Sequence, residues 1–527
     1  MKNKSKKNSS RGSIMIYLLM TATIGSVILL GLITFVVSRD KNSKYAASRE
    51  QSLELSESGI YWYRWYLAHN VEGKTVQQKK DFWASGTAVG TQPGGYTASQ
   101  NDPEGGELGK YKLEVTPPIV GSTIVTVKST GWTDKSPNVK RTIQVRFRQP
   151  AWCEYAVVAD DFMRFGAGTE VFGMIHSNQG IRFDGVAHNL VTSSVPSFQD
   201  PDHSGGPEFG VHTHVNVPPQ TGVNDAFRPL EGPPNSMQTR NDVFQAGRKV
   251  SQPTKSFNSL VADLGLMRDE SKAGGLYLGQ TTATVQFNCR WVTTGKGKNK
   301  VSVWTCDESA VPVKGYHIVL KNNHTMDVSM VLGFDPVSYQ INPTITINYS
   351  GSNYTVAGEL PVVNYPIPGN GIVFVENYAW VEGTVNGNKI TIAAADLSPT
   401  PIYKDIYINH NILYTDKVGT DANGPDILGL IAQNNISIGL YSDDNLEVDA
   451  ALLAQRGRVG RDYYAGNHRN SITTYGSIAT KQRYGFAWTD GTGYNIRNLY
   501  FDNNLIYYPP PYFPVGDKYQ IDLWQEL

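Results

Sequence analysis

The sequence predicts a mainly β protein that carries one long α-helix at its amino terminus. Three observations lead to this fold class. Residues 14–37 form an unbroken apolar run, and residues 71–150 contain short segments in which apolar and polar residues alternate. Beyond Ala151, short apolar segments recur about every 20 residues, a spacing typical of stacked β-solenoid coils. The apolar run is typical of a membrane-spanning helix, and the alternating segments are typical of half-buried strands.

The apolar run begins at Ile14 and ends at Val37, and it contains no charged residue. At about 1.5 Å of rise per residue, such a helix crosses a hydrocarbon core of roughly 30 Å. The leader before it, residues 1–13, is basic and has no acidic residue, which predicts that it stays in the cytoplasm while the bulk of the chain faces outward. A cleaved secretory signal would explain the same charges, but its apolar region should be shorter and end in an Ala-x-Ala-like site. We therefore expect a single-pass protein of the cytoplasmic membrane, with the lipid bilayer as a partner.

Residues 38–70 continue the helical pattern but become amphipathic. Apolar residues recur at helical spacing between Tyr45 and Leu67, and most of the other positions are charged or small. The interior Gly59 costs a helix only about 1 kcal/mol. The two segments together predict one helix on the order of 80 Å long.

The segment Arg11-Gly12-Ser13, followed by a retained helix, resembles the class III leader of type IV pilins and pseudopilins. The resemblance implies cleavage between Gly12 and Ser13 and packing of the helix among pilin-like subunits, in which case the protein would lie in a cell-surface pilus instead of the cytoplasmic membrane. The chain departs from the family at Tyr17, where the major pilins carry Glu as the fifth residue after the cut. In the family, that Glu neutralises the amino terminus of a neighbouring subunit. A subunit without it would sit at a filament tip, be incorporated poorly or never polymerise.

A small pilin-like α+β head is predicted for residues 71–150. Residues 71–108 are rich in Gly, Thr, Gln, Ser and Asn and are predicted as loop. Three segments of alternating polarity follow between Tyr111 and Phe147, which predicts three short antiparallel strands beside the long helix.

Two β-solenoid parts are predicted beyond the head, residues 151–194 and residues 366–527. An inserted β subdomain, residues 195–365, separates them, and the last residues are expected to cover the open end of the stack. An irregular β-sandwich would give similar strands but no repeated Ile/Leu-Ala step. The repeated segments are Met163–Phe165 and Ile181–Phe183, then Ile431–Asn434, Leu453–Arg456 and Ile478–Lys481.

The aromatic segment Ser56–Tyr66 also resembles a segment of PilX-type minor pilins, in which case its rings are expected to pack against the head. Later segments resemble a β-helical domain of unknown function on bacterial envelope proteins. This resemblance implies an envelope or pilus-associated protein and implies no activity. The segments that carry it are Gly315–Lys321, Gly371–Ala395, Asp426–Ile438 and Leu446–Gln455.

Three cysteines are too few for a disulfide framework or a Cys-ligated zinc site. Cys289 and Cys306 flank a Gly/Lys/Asn turn, and folding about that turn brings Trp291 opposite Trp304 and Cys289 opposite Cys306. Opposed β-carbons lie about 4.5–5.5 Å apart, so we predict a disulfide, with two reduced buried thiols as the alternative. Cys153 would then be unpaired and buried.

His212 and His214 are the best metal candidates, because alternate residues of a strand share a face. No Cys, Asp or Glu is evident at a ligand spacing beside them, so we predict no metal site. In residues 446–450 the apolar side chains alternate, which predicts that Glu447 and Asp449 both project to solvent. The candidate acid pairs are Asp160 with Asp161, Asp443 with Asp444, and Glu447 with Asp449.

These observations predict a structural protein rather than an enzyme. A phosphate loop, a nucleophile elbow and a zinc-protease motif are all lacking, and the net charge of zero argues against a nucleic-acid partner. We predict a membrane-anchored, minor-pilin-like subunit without a cofactor, whose β-solenoid serves adhesion to an unknown surface ligand or assembly. The alternatives are a tethered enzyme that acts on a surface glycan, with carboxylates and aromatic residues lining a groove, and an envelope protein that never enters a filament.

Overall fold

The computed structural model describes residues 11–118, 122–150, 152–224, 229–257, 263–418, 424–516 and 518–527. The predicted mainly β fold with one long amino-terminal helix is confirmed. Residues 1–10 of the predicted leader lie outside the described residues.

Helix α1 (Arg11–Asn70) has two halves that differ in their surroundings. Every side chain from Ile14 to Ala47 is exposed, and burial begins at Ser48. Beyond that point the predicted apolar stripe packs onto the head, where Ile60, Tyr63 and Leu67 are fully buried. One continuous helix therefore has an apolar half that the described chain leaves uncovered and an amphipathic half that belongs to the core of the head.

The head combines the second half of α1 with an antiparallel sheet. Part of the stretch predicted as loop is structured, because Thr75 and Gln78 form a capping box that starts α2. The edge strand β1 is largely exposed and shows no alternation in its sequence, which is why the pattern did not reveal it. The head elements are α2 (Val76–Ala84), β1 (Tyr96–Asn101), β2 (Glu107–Thr116), β3 (Val125–Thr133) and β4 (Arg141–Arg148).

Most of the remaining strands belong to a domain in which neighbouring strands pair in parallel, which we call the parallel domain. The elements up to α3 are β5 (Val157–Ala159), β6 (Met163–Phe165), β7 (Thr169–Phe172), β8 (Ile175–Ser177), β9 (Ile181–Phe183), β10 (Val186–Ala187), β11 (Val191–Ser193), β12 (Ser197–Phe198), β13 (Glu208–Phe209), β14 (Val211–His212), β15 (Arg248–Lys249) and α3 (Leu264–Gly274). The next are β16 (Leu276–Leu278), β17 (Thr282–Thr294), β18 (Val301–Pro312), β19 (Gly315–Lys321), β20 (Thr325–Val331), β21 (Thr344–Tyr349), β22 (Ser352–Ala357) and β23 (Val363–Pro366). The last are β24 (Ile372–Val375), β25 (Tyr378–Val385), β26 (Lys389–Ala394), β27 (Ile406–Ile408), β28 (Ile412–Tyr414), β29 (Ile427–Ala432), β30 (Ile436–Ile438), β31 (Asn445–Ala454), β32 (Val459–Arg461), β33 (His468–Thr480), β34 (Gly493–Phe501) and β35 (Gln520–Glu526).

The longest parallel ladder does not follow chain order. Strand β33 pairs in parallel with β5, so that Ile478 lies opposite Val157. The segment that begins at residue 157 and the segment that ends near residue 480 are therefore neighbours in one continuous ladder. Its strands run β15-β11-β8-β5-β33-β31-β29-β26-β24-β16.

The registers of the paired strands agree with two of the repeat alignments that the sequence suggests and differ from the third. Met163–Phe165 pairs residue for residue with Ile181–Phe183, and Ile431 lies opposite Leu453. Ile478, however, lies opposite Leu452, one residue away from the alignment that the sequence suggests. Both faces of these strands are buried, and Ile431 and Ile478 belong to different apolar clusters. A strand buried on both sides has no alternation from which its register can be read.

The end of the chain does not lie where it was predicted. The Pro-rich segment near Pro511 covers one face of the ladder, since the hydroxyl of Thr391 donates a hydrogen bond to the carbonyl of Pro511. Strand β35 then pairs antiparallel with β4 of the head. The head sheet has the order β1-β2-β3-β4-β35, and the whole parallel domain is inserted between its last two strands.

Candidate functional site

Among the described residues, α1 is the one helix long and apolar enough to cross a membrane, and none of its most apolar window is buried. From Ile14 to Val37, the exposed fractions of the large apolar side chains lie between 48% at Val37 and 72% at Met15. The hydroxyls of Thr23 and Thr34 donate hydrogen bonds to carbonyls one turn earlier, at 3.0 and 2.8 Å. Because these two hydroxyls are satisfied within the helix, they can lie in an apolar medium without leaving an unpaired donor.

The predicted cleavage position lies in the first turn of this helix, which includes Gly12 and Ser13. Cleavage between them stays a prediction.

The hairpin β17–β18 carries a disulfide between Cys289 and Cys306, with an S–S distance of 1.97 Å. A bulge between Phe287 and Arg290 places Cys289 beside Cys306. Trp291 lies opposite Trp304 at a ring-centroid distance of 5.4 Å, and both rings are exposed. Cys153 lies elsewhere in the core, and burial raises the pKa of its thiol.

The prediction that Glu447 and Asp449 both face solvent is wrong for Asp449, which is fully buried. Its carboxylate accepts hydrogen bonds from the backbone N–H of Tyr414 at 2.8 Å and from Nζ of Lys417 at 3.1 Å. Burial raises the pKa of Asp449 to about 6. Glu447 stays half-exposed and also accepts from Lys417, at 2.9 Å. From Val448 onward, β31 is buried on both faces, so its alternation ends there.

The other two acid pairs have local partners. Asp160 accepts hydrogen bonds from Lys481 and from Asn178, and Asp443 contacts Nδ1 of His410 at 2.9 Å. Asp444 accepts from the backbone N–H of Asn470. These contacts link neighbouring loops of the parallel domain.

The structure brings three histidines and two carboxylates together, including the two histidines that the sequence singled out. We call Asp200, His203, Glu208, His212 and His214 the histidine–carboxylate cluster. Short strands position it. Glu208 lies on β13, which pairs antiparallel with β12, and Asp200 follows β12 in the chain. His212 lies on β14, which pairs in parallel with β9.

The imidazoles of the cluster surround one carboxylate oxygen. Oε2 of Glu208 lies 2.8 Å from Nε2 of His203, 2.9 Å from Nε2 of His214 and 3.1 Å from Nε2 of His212. Oδ2 of Asp200 lies 3.7 Å from Nε2 of His212 and 3.9 Å from Nε2 of His203. The ligand atoms of Asp200, His203, Glu208 and His214 all lie within 4.8 Å of one another.

The side chains of the cluster are almost fully buried, and that of His203 is 4% exposed. Glu208, His212 and His214 are 0% exposed, and Asp200 is 2% exposed. Burial opposes ionisation of Glu208, but hydrogen bonds and charge from the surrounding histidines outweigh it, so its pKa lies below the ordinary value. The same balance holds the pKa of Asp200 well below its ordinary value.

The prediction that no carboxylate accompanies His212 and His214 is wrong, because Glu208 stands only four residues before His212. The available signal was the density of His, Asp and Glu between Asp200 and His214, in a stretch that Pro and Gly made look like open loop.

No protein-family model matches the chain, and no curated protein matches it significantly. Among solved structures, the chain is similar to the competence-associated pilin ComZ from Thermus thermophilus, with 13% sequence identity and a TM-score of 0.32. The match covers 91% of this chain and 97% of that chain. At this TM-score the likeness decides neither the fold nor the function, so both rest on the chain's own residues.

Proposed function

We propose that the chain is a membrane-anchored structural subunit, similar to a minor pilin, that presents the parallel domain outside the cell. The observation that carries this proposal is the division of α1. Its second half is buried in the head, whereas Ile14 to Ala47 are exposed throughout. The apolar part of this exposed stretch, Ile14 to Val37, needs an apolar partner, because water does not solvate such a surface favourably. Lipid, or the equivalent helices of other subunits, would supply it.

The insertion of the parallel domain into the head supports a presenting role. Because β4 and β35 are neighbours in the head sheet, the domain leaves and re-enters the head at one place. Contacts between the two reinforce this attachment. The guanidinium of Arg146 lies 5.0 Å from the ring centroid of Tyr507, and Lys80 pairs with Glu270 at 3.1 Å.

In this proposal the parallel domain is a β-solenoid whose stacked strands form a stiff scaffold. Its outer surface would serve adhesion or assembly, and no catalytic step is part of the proposal. The basic leader would remain cytoplasmic until cleavage after Gly12. With Tyr17 in place of the family's Glu, the subunit would occupy a filament tip or be incorporated only sparsely.

Cleavage is tested by mass spectrometry of the mature amino terminus, with the chain expressed in a bacterium that assembles type IV pili. We expect the wild-type chain to begin at Ser13. Gly12→Val should retain the leader, because the leader peptidase of the family that the chain resembles cuts after a glycine. Gly31→Val is the matched control, since a side chain at Gly31 meets nothing within 4 Å, and it should be processed normally.

Shearing the cells then separates filament proteins from membrane proteins. Recovery of the chain with sheared filaments supports the filament role. Recovery only with membranes would support a tethered envelope protein instead. An intact leader, or a cut beyond Val37, would contradict the pilin-like proposal.

A further inference from the structure

We propose that the histidine–carboxylate cluster binds one divalent first-row transition-metal ion, such as Zn²⁺, as a structural centre. The inference is independent of the anchored-subunit proposal, since it concerns the folding of the parallel domain.

The spacing of the polar atoms fits the coordination sphere of such an ion. Zinc lies about 2.0–2.2 Å from histidine nitrogens and carboxylate oxygens, which places adjacent ligands about 3.0–3.5 Å apart. The distances from Glu208 to the three imidazole nitrogens run from 2.8 to 3.1 Å, and those from Asp200 to His212 and His203 are 3.7 and 3.9 Å. A central ion would draw Asp200 inward and push Glu208 slightly outward.

Two imidazoles are already oriented as metal ligands. Nδ1 of His212 lies 2.9 Å from the carbonyl oxygen of Phe209, and Nδ1 of His214 lies 3.0 Å from that of Asn224. A carbonyl can only accept a hydrogen bond, so each Nδ1 carries the proton. In the neutral rings, Nε2 then turns a lone pair towards the centre of the cluster. Histidine ligands of metal ions are commonly held in this way.

Several inward-facing atoms have no hydrogen-bond partner within the described part of the chain. They are Nε2 of His212, Oδ2 of Asp200 and Oε1 of Glu208. Lone pairs of neutral imidazoles and of carboxylates repel one another at these distances. A buried polar atom without a partner costs about 1–3 kcal/mol, so a cation at the centre would remove several such costs at once.

The local charge matches a divalent ion. Beside the cluster, the buried guanidinium of Arg182 lies 2.7 Å from Asp184 and 3.7 Å from Asp200. Its single positive charge offsets one of the three carboxylates of Asp184, Asp200 and Glu208, so two negative charges remain in a place that excludes water. Buried charges are tolerated when they are paired or coordinate a metal ion, and one divalent cation would neutralise both remaining charges. Asp184 also accepts a hydrogen bond from the backbone N–H of His214, at 2.8 Å, which ties the ion pair to the ligand strand.

The ligand types select the class of metal. Three imidazoles favour zinc, iron, nickel or copper, whereas calcium and magnesium prefer oxygen ligands. The enclosure of the cluster indicates a structural centre, because catalytic zinc sites keep a position open to solvent or substrate.

The centre would hold the end of a parallel ladder in place. The ladder β6-β9-β14 ends at β14, which carries His212. All five side chains of the cluster come from residues 200–214, so the ion would fasten the loop after β12 onto this terminal strand. A terminal strand lacks a neighbour on one side, and metal binding would supply the stability that further pairing supplies elsewhere.

The test uses the full chain purified in detergent. Metal content of the isolated protein is measured by elemental mass spectrometry, and Zn²⁺ is then titrated into chelator-treated protein. We expect about one bound ion per chain and a melting temperature that rises with Zn²⁺ concentration. Glu208→Gln and His203→Asn should each weaken Zn²⁺ binding by more than about 100-fold, beyond the usual effect of changing a residue that only orients a ligand.

His176→Gln is the matched control, because His176 is equally buried but contacts Thr192 and Asn178 and no carboxylate among the described residues. It should bind Zn²⁺ as the wild type does. Should Glu208→Gln fail to fold, the absorption spectrum of Co²⁺ added to chelator-treated wild-type protein reports nitrogen and oxygen ligation directly. The proposal is overturned if the wild-type chain is isolated without metal and Zn²⁺ changes neither its melting temperature nor its Co²⁺ spectrum. The cluster would then be a metal-free network of charged hydrogen bonds.

Discussion

At the scale of single residues, His317 shows how tertiary contacts change the pKa of a side chain. Its Nδ1 lies 2.8 Å from Glu359, and its Nε2 lies 3.4 Å from Glu382. Burial by itself would lower the pKa of the imidazole, but the two carboxylates outweigh burial and raise the pKa to about 9. Glu359 lies between β22 and β23 and Glu382 lies on β25, so the charged ring joins separate segments.

His317→Gln should therefore change how stability depends on pH. Because the folded pKa lies above the ordinary value near 6.5, the charged histidine stabilises the fold fully below pH 6.5. This contribution is lost as the pH rises through 9. Denaturant unfolding from pH 6 to 10 should show a decline in the wild type that the variant lacks, by about 1–3 kcal/mol.

His468→Gln serves as the control, since the ring of His468 hydrogen bonds to the carbonyl of Gly491. Its pH profile should follow that of the wild type. Identical profiles for the wild type and His317→Gln would contradict the assignment of a charged, doubly paired His317.

At the scale of elements, the contact between α1 and the head sheet depends on a close approach of backbones. A β-carbon added at Gly59 would lie 2.3 Å from Oγ of Ser129 and 2.8 Å from the ring of Tyr111. On the facing strand, a β-carbon at Gly131 would lie 2.3 Å from the carbonyl of Ser52. These two glycines let helix and sheet pack without intervening side chains. Gly59 is therefore a packing requirement and not only a small cost to the helix.

Gly59→Ala has two opposing effects on stability: it raises helix propensity, and it overpacks the contact with the sheet. Propensity favours Ala by about 1 kcal/mol, whereas overpacking a close contact costs about 1–3 kcal/mol. Because the clash involves the sheet, we expect net destabilisation of the head, measured by thermal unfolding in detergent. Gly25→Ala is the matched control in the same helix, since its added side chain meets nothing within 4 Å, and it should cause no loss. A stabilised Gly59→Ala variant would contradict the packing at this contact.

At the scale of the whole molecule, the order of the ladder ties distant parts of the chain into one cooperative unit. Val157 lies opposite Ile478 on one side and Ile175 on the other. The amino-terminal and carboxy-terminal portions of the parallel domain therefore share one core, and the head closes around them through β4 and β35.

Val157→Asp should loosen both neighbours of β5, although one of them is more than 300 residues away in sequence. Val157 is fully buried, and an unpaired buried charge costs several kcal/mol. Hydrogen exchange should therefore rise at Ile478–Thr480 as well as at Ile175–Ser177. Val217→Asp, at a position that is 51% exposed, should leave both segments protected. Faster exchange at Ile175–Ser177 alone would contradict the shared ladder.

The features that could be predicted from the sequence are those in which the pattern of a single segment shows which of its faces are buried or exposed. The apolar run of α1, the alternation in β2 to β4 and the cysteine hairpin are all local patterns, set by the periods of a helix and a strand. The second half of α1 and the mainly β class were predicted for the same reason. Strand β1 was not predicted, because an exposed edge strand has no buried face and therefore no alternation of apolar and polar residues.

Tertiary structure alone decided which segments meet. The position of β35 beside β4, the one-residue shift at Ile478 and the burial of Asp449 depend on contacts between distant segments. Apolar strands buried on both faces show no alternation, so neither their register nor their neighbours are encoded in a local pattern. The histidine–carboxylate cluster follows the same principle, because its five side chains converge only once β13 pairs with β12 and β14 pairs with β9.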